Sequence, residues 1–498
     1  MLSQKFVIDF GAKLLLYFIT AITGIVVARI AGPEVIGTIA YGMSFVSMFG
    51  FIFGLFGTSH VKLISEGKNK QDCIKIYSTI IFLSIIVFIL VVIGYYLCKK
   101  YLFNAQFTQI DQTVIFISLA TISVQGLYKI AELTFVGLTQ QAKVNLPKIL
   151  SGILYNIGRL LVVLLGYKAI ALVTTNLISS LLIIPFYFYL LGKDNFKGKW
   201  DNELFYRYIK IGFPILIITS TNSFIMYYGK IMLKDFSSMQ ELGYYAGGYS
   251  LAGMLLMLGR TAGTLFFPLF SKAYINNDLL YIRTQIKKFE HFLFVFIIPI
   301  ILGLSIFSNT IIIFLLGDKY INSVPIFSIL VFVSFFMIWG IPYSNLINGI
   351  NKFKINAIFN IIYAICFIGL LNLFIRDTAF NYGAIGLAVS MLALNMIRFL
   401  GWYIYSKRKI QIKLDNNIIL MLLFYLVILV FGMVFYNSYL IEFSVLIRIL
   451  LFFTIIIIIY TLLYLFGFMK KNDVKFIFKI VNVKSLIIYV KEELKNKE

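Results

Sequence analysis

The sequence predicts an all-α integral membrane protein with fourteen transmembrane helices, and three observations predict it. Of 498 residues, 60% are hydrophobic and 13% charged, whereas soluble proteins average about 25% charged. Apolar runs of about 20 residues, the length that crosses ~30 Å of hydrocarbon, recur from one end to the other. They are continuously apolar, not alternating with period two, which selects helices over barrel strands. Third, lysines and arginines gather in alternate loops. A soluble enzyme, a disordered chain and a nucleic-acid binder are excluded. The net charge of +23 reflects basic residues collected on one membrane face and implies no nucleic-acid partner.

Each run is justified by its length and by the charges that follow it, with the N-terminus inside. Run 9–30 follows Lys5 and is entered without a small-residue cleavage site, so it reads as a first helix and not as a removable signal. Run 36–60 returns to Lys62, Lys68, Lys70 and Lys75. Runs 75–97 and 113–138 enclose Lys99 and Lys100 and lead to Lys143 and Lys148. Runs 146–166 and 169–191 enclose Lys168 and lead to Lys193, Lys197, Lys199, Arg207 and Lys210. Runs 211–233 and 242–270 enclose Lys234 and lead to Lys272, Arg283, Lys287 and Lys288. Runs 289–316 and 324–350 enclose Lys319 and lead to Lys352 and Lys354. Runs 355–375 and 383–405 enclose Arg376 and lead to Lys407, Arg408, Lys409 and Lys413. Runs 417–436 and 444–468 have no basic residue between them, and eight more follow in the tail from Lys470. Thirty of the 44 basic residues thus fall inside and six outside. A missed or invented helix would invert every later loop. Both termini are expected in the cytoplasm, in a multi-pass protein of the cell membrane.

The loops leave little room for chemistry. The longest outer one, around Cys98–Gln112, offers no space for a catalytic domain, and no GxxxxGK[ST] loop for ATP occurs. The 21 acidic residues form no evident carboxylate pair for glycosyl transfer. Cys73, Cys98 and Cys366 make no CxxC, and His60 and His291 are isolated, so no metal site and no cofactor are expected. Transport, not enzymatic conversion, is the expected activity.

An internal repeat lies at an offset of 206. Gly37–Thr58 aligns without gaps on Gly243–Thr264, matching Gly37/Gly243, Ala40/Ala246, Gly42/Gly248, Ser44/Ser250, Met48/Met254, Gly57/Gly263 and Thr58/Thr264. A second echo pairs the turn Gly137–Asn145 with Gly349–Asn356. The second helix matches the eighth and the fourth the tenth, so the copies run parallel about an axis along the membrane normal. The expected organisation is two pseudo-symmetric six-helix lobes, 1–191 and 211–405, joined by a linker at 192–210. A helix pair at 406–469 and a basic tail at 470–498 follow. Gly50/Gly54 and Gly259/Gly263 form GxxxG in the second and eighth helices and serve either close packing or a hinge.

The segment Val26-Val-Ala-Arg29-Ile-Ala-Gly32-Pro33-Glu34-Val-Ile-Gly37-Thr-Ile-Ala40 resembles the ARxxGPExxG signature of polysaccharide-biosynthesis flippases. These are the Wzx-like, polysaccharide-transporter branch of the multidrug/oligosaccharidyl-lipid/polysaccharide (MOP) exporter superfamily. Phe267-Pro268-Leu-Phe-Ser271, the turn Gly349–Lys354 and Tyr382-Gly-Ala-Ile-Gly386-Leu-Ala support it. The resemblance implies lobes arranged in a V, alternating access, and a polyprenyl-diphosphate-linked oligosaccharide moved from the inner to the outer leaflet. It also implies glycosyltransferases and a glycan polymerase as partners.

Charges inside the membrane mark the candidate site, because each costs ~2.5–3.5 kcal/mol at mid-bilayer. Lys13, Arg29, Lys230 and Arg448 lie near helix ends, where snorkelling accounts for them. Arg159 and Arg260 sit deeper, in opposite lobes, and call for a water-filled cavity. Lys129 and Glu132, three apart on one helical face, either neutralise each other or leave Glu132 as a site for a coupling ion, H+ or Na+. Asp9 is a second coupling candidate, with helix capping as the alternative. Arg159, Arg260, Arg29, Lys13 and Lys129 together would repel cationic drugs and attract a diphosphate, which arginine binds bidentately. Tyr17, Tyr41, Asn222 and Tyr249 are candidates for the sugar head. The basic tail, with Lys475, Lys479 and Lys484 among apolar residues, is expected as an interfacial helix on acidic lipids. Two rivals are carried: a cation-coupled multidrug exporter, which would want several intramembrane carboxylates, and a membrane glycosyltransferase or polymerase.

Overall fold

The computed structural model describes the backbone at residues 2–54, 56–350, 352–412, 415–470 and 473. Side chains are described there except at 2–15, 214, 257–258, 260–262, 264–265, 268 and 353. The described residues are mainly helical, with no strand among them. All fourteen apolar runs fall on helices. Among the described residues, ten helices are long and apolar enough to cross a membrane, or up to twelve if each of two bent pairs is one span. The tail expected as an interfacial helix lies outside the described residues. By contacts the described residues divide into two units, one up to Gly243 and one from Tyr244 onward.

The first unit contains α1 (Leu2–Ala31), α2 (Pro33–Ser47), α3 (Phe51–Gly54), α4 (Gly57–Ser65), α5 (Lys70–Leu97), α6 (Gln109–Gly137), α7 (Gln141–Leu164), α8 (Ala169–Leu191) and α9 (Asn202–Phe236). Its boundaries follow from local chemistry. Gly32, at φ 83°, stops α1, and Pro33 starts α2 where its missing N–H is not needed. Thr108 and Asp111 make a reciprocal capping box on α6. Asp201 caps α9 by accepting from Glu203 N at 2.8 Å. Helix α9 therefore begins inside the 192–210 stretch, after a short 3-10 turn at Lys193–Phe196. It packs mainly on α2, α3 and α4. Helices α2–α4 bend by 49° around their breaks, and α9 bends by 45° at Pro214, which offers no backbone donor.

Helix α1 packs on α7, α6 on α8, and α2 on both α6 and α9. Val27, Val163 and Leu172 form one buried cluster and Val114, Ala169 and Val173 another. At the far end of α5 a π turn, Cys98–Leu102, carries Lys99 into an ion pair with Asp235 of α9. Beside it Lys234 donates to Gln106 O at 3.0 Å.

The second unit holds most of α10 (Met239–Ile275), then α11 (Leu279–Phe292), α12 (Ile298–Ile306), α13 (Ser308–Leu316), α14 (Ser323–Gly349), α15 (Phe353–Ile375), α16 (Gly383–Ile410), α17 (Asn416–Phe435) and α18 (Val445–Leu465). A π turn joins α11 to α12, so Leu279–Ile306 is one span. Helix α14 packs on α16 and α12, α15 packs on α16, and α17 and α18 both lean on α12. Arg448, read from sequence as snorkelling, is instead buried: it donates to Tyr436 OH at 3.0 Å and Asn309 Oδ1 at 3.1 Å.

Candidate functional site

The bends of the first unit open a cavity of about 480 Å3. The broken α2–α3 segment contributes Met43, Ser47, Gly50, Phe51, Phe53 and Gly54. Helix α6 adds Ile122, Gln125 and Lys129, and α9, past its bend, adds Thr219, Asn222, Ser223 and Tyr227. Hydroxyls, amides and one ammonium thus share the space, and none of the lining residues is acidic. A larger cavity, about 690 Å3 among α2, α6, α7 and α8, is walled mainly by aliphatic side chains such as Val35, Ile110, Val162 and Ile178.

Lys129 is the charge in the polar cavity. Its Nζ stands 5.7 Å from the centroid of the Phe53 ring, a cation–π distance. Glu132 pairs not with it but with Lys148 of α7, at 2.7 Å. That settles one alternative drawn from the spacing: the carboxylate one turn away is engaged elsewhere. One turn beyond Tyr227 on α9, the Lys230 ammonium lies 5.9 Å from the Tyr227 ring centroid, adding a second positive charge near the same wall. Gln125 donates to Asn176 Oδ1 at 3.5 Å and Ser180 Oγ at 3.3 Å, tying the lining to α8.

The remaining candidates separate. Arg159, half-buried on α7, stacks on Tyr155 at 5.1 Å and is not among the cavity's lining residues. Arg29 is exposed in the last turn of α1. The side chains of Lys13, Asp9 and Arg260 lie outside the described residues. Gly50 and Gly54 line the cavity, and a Cβ on Gly54 would meet nothing within 4 Å. Gly259 and Gly263 differ: a Cβ there would press on Ile338 and Ile341 of α14 at 2.8 Å and on Ile341 at 3.1 Å. In the first GxxxG, Gly54 leaves space while a Cβ on Gly50 would come within 3.1 Å of Ser47 O; both glycines of the second lie close against α14. Asn222 lines the cavity; Tyr41 is buried under Lys234, and Tyr249 stacks on Tyr245, both elsewhere, as is Tyr17 on α1.

Two titratable groups escaped sequence reasoning. His60, isolated in the sequence, is fully buried between Tyr208 OH (2.7 Å from Nδ1) and Thr134 Oγ1 (2.8 Å from Nε2), and it stacks on Tyr77 at 4.2 Å. Glu290 is fully buried in the second unit. It lies at the start of the apolar run 289–316.

Solved structures resemble the chain throughout. The lipid II flippase MurJ, in an inward closed conformation, superposes with a TM-score of 0.69 at 19% identity, covering 92% of this chain and 99% of that one. An inward-facing multidrug resistance MATE family transporter of the MOP superfamily gives 0.65 at 12% identity, covering 81% and 98%. A MOP superfamily transporter from Pyrococcus furiosus gives 0.50 at 13% identity, covering 82% and 94%. At these identities the likeness establishes the fold, that of multi-pass MOP transporters. No curated protein matches the chain in sequence. A family model described as polysaccharide biosynthesis protein matches residues 26–325, beginning within the Val26–Ala40 signature, and the chain belongs to that family.

Proposed function

We propose that this protein is a secondary flippase, not an enzyme. It carries a polyprenyl-diphosphate-linked oligosaccharide, the repeat unit of a surface polysaccharide, from the inner to the outer leaflet of the cell membrane. The family and the fold it shares with MurJ support a lipid-linked glycan as cargo. The observation that carries the reading is Lys129, a cation facing a polar cavity whose lining has no carboxylate. Its sign suits a diphosphate and opposes a cationic drug, and the low dielectric around it strengthens both effects. Lysine serves as a point charge with three donors, so it follows a phosphate through a reorienting cavity more freely than a bidentate clamp. Ser47, Asn222, Ser223 and Tyr227 offer donors and acceptors to sugar hydroxyls, with Phe51 and Phe53 beneath. The lipid tail stays in the bilayer, and alternating access of two lobes moves the head.

The test is translocation of a fluorescent polyprenyl-diphosphate glycan in proteoliposomes. Lys129→Gln lowers the initial rate by about 10- to 100-fold, the ~1.5–3 kcal/mol of a charge-assisted hydrogen bond. Lys129→Arg keeps most of it, and Lys129→Glu abolishes it while the protein still inserts. Wild-type rates in Lys129→Glu would falsify the reading. Efflux of a cationic dye, with glycan translocation absent, would favour the multidrug alternative.

A further inference from the structure

A coupled ion is one way to drive the proposed transport, and the second unit holds a buried carboxyl suited to carry a proton. Glu290, on α11, is completely buried. Its Oε1 accepts two hydrogen bonds, from Trp339 Nε1 at 2.8 Å and from Tyr343 OH at 2.6 Å, both on α14. Its Oε2 is buried and has no hydrogen-bond partner. Around the donors is an aromatic box: Trp339 stacks on Phe399 of α16 at 4.0 Å and meets Phe294 edge-on at 5.0 Å.

We propose that Glu290 is a proton-binding site, with Oε2 taking up and releasing the proton that couples to transport. The two carboxyl oxygens are differentiated by their surroundings. Indole N–H is a donor without acceptor capacity, so Oε1 is fixed as an acceptor, which is the role of the carbonyl oxygen of a neutral acid. Oε2 is left as the atom on which an O–H bond forms. No lysine, arginine or histidine nitrogen among the described residues reaches ion-pair distance of Glu290, so the ionised form is a buried charge without a counter-ion. The groups that face it are few. On its own helix these are Lys287, one turn earlier, and His291, which pairs with Asp473 at 3.1 Å. On α14 there is Tyr343, on α16 Tyr403, edge-on to Tyr343 at 5.7 Å, and ahead of α17 Asp415. None of them supplies the missing partner of Oε2. In the step, one proton from water bonds to Oε2 and cancels the carboxylate charge; the reverse step returns it to water when the box opens. On this proposal coupling sits at Glu290 in preference to Glu132, whose Oε1 pairs with Lys148.

The placement of coupling rests on the transport reading, but the site itself is tested without it. Infrared difference spectra of the purified full-length protein in lipid nanodiscs, without glycan, are recorded across pH. The expected result is a protonated-carboxyl C=O band that titrates, vanishes in Glu290→Gln, and moves to higher frequency in Trp339→Phe, where one donor to Oε1 is lost. Glu290→Gln keeps the acceptor at Oε1 and is expected to fold as the wild type does. In proteoliposomes it should translocate glycan at a rate that no longer responds to a pH gradient, whereas Glu132→Gln should still respond. A titrating band without glycan transport leaves the site standing and overturns the flippase reading. Absence of the band, a band that never titrates, or full gradient dependence in Glu290→Gln overturns the proposal.

Discussion

Lys129 and Lys148 divide one carboxylate between two possible roles, and geometry gives it to Lys148. The pair Glu132–Lys148 joins α6 to α7 with the lysine more than a third exposed. Solvent screening then limits its worth to about 1 kcal/mol or less. A double-mutant cycle of Glu132→Gln and Lys148→Gln, followed by thermal unfolding in detergent, should return a coupling of that size. A coupling of several kcal/mol would mean that the pair is buried in the membrane protein as it folds. His60 carries more. Its ring joins Tyr208 and Thr134, Tyr208 OH donates onward to Cys73 O at 3.2 Å, and Ser59 Oγ donates to Tyr208 O at 3.1 Å. Replacing the ring by a methyl removes one hydrogen bond from each of two buried hydroxyls, although Tyr208 still reaches Cys73 O and Thr134 still donates to Ile130 O at 2.7 Å, and it leaves a void against Tyr77. His60→Ala should cost about 2–5 kcal/mol in the same unfolding assay. A change within 0.5 kcal/mol, on the order of an ordinary surface substitution, would mean the network is incidental.

Among the helices, the bent ones make the cavity, and glycine decides where they touch. Gly37 of α2 and Gly243 of α10, partners in the sequence repeat, meet each other's helix: a Cβ on Gly37 would overlap Met239 O, and one on Gly243 would overlap Pro33 O. Backbone cannot yield as a flexible side chain can. Gly37→Ala or Gly243→Ala should therefore destabilise the protein by about 1–3 kcal/mol, the range for overpacking. Gly54→Ala is the contrast, because its Cβ enters open space and alanine favours a helix by about 1 kcal/mol. That variant should be as stable as the wild type or more so. If Gly54 also acts as a hinge, glycan translocation falls although stability does not; equal translocation leaves it as the residue that merely keeps the cavity open. The charged contacts at Lys99–Asp235 and Lys234–Gln106 fix the end of α9 against the segment after α5. The break at Pro214 is thus held between two anchored ends, Tyr208 at one and Asp235 at the other.

For the whole molecule, orientation is the property that basic residues predict most directly. In a background lacking Cys73, Cys98 and Cys366, a cysteine at position 197 should react with an impermeant maleimide only from the cytoplasmic side, and one at position 168 only from outside. The reverse pattern would invert the topology and with it the direction of transport. The helices were legible because hydrocarbon imposes one demand on every residue of a span, and a run of twenty apolar side chains records it without reference to any neighbour. Family membership was legible for a similar reason: the Val26–Ala40 turn is a short local pattern, and the family match starts inside it. The site was legible only in part. Lys129, Gly50, Gly54 and Asn222 were picked out and share the cavity. Arg159 was picked out on depth alone and stacks on a tyrosine outside that lining, because depth says nothing about the direction a helix face points. Lys230 looked like a helix end, since the run 211–233 stops nearby, but α9 continues to Phe236. Sequence determined which segments enter the membrane, since burial in lipid is a property of each segment alone. Tertiary structure decided which carboxylate meets a lysine and which meets, among the described residues, only neutral donors, as Glu132 and Glu290 illustrate. A charge is neutralised by whatever atom lies within a few ångströms, and that atom is brought there by another helix.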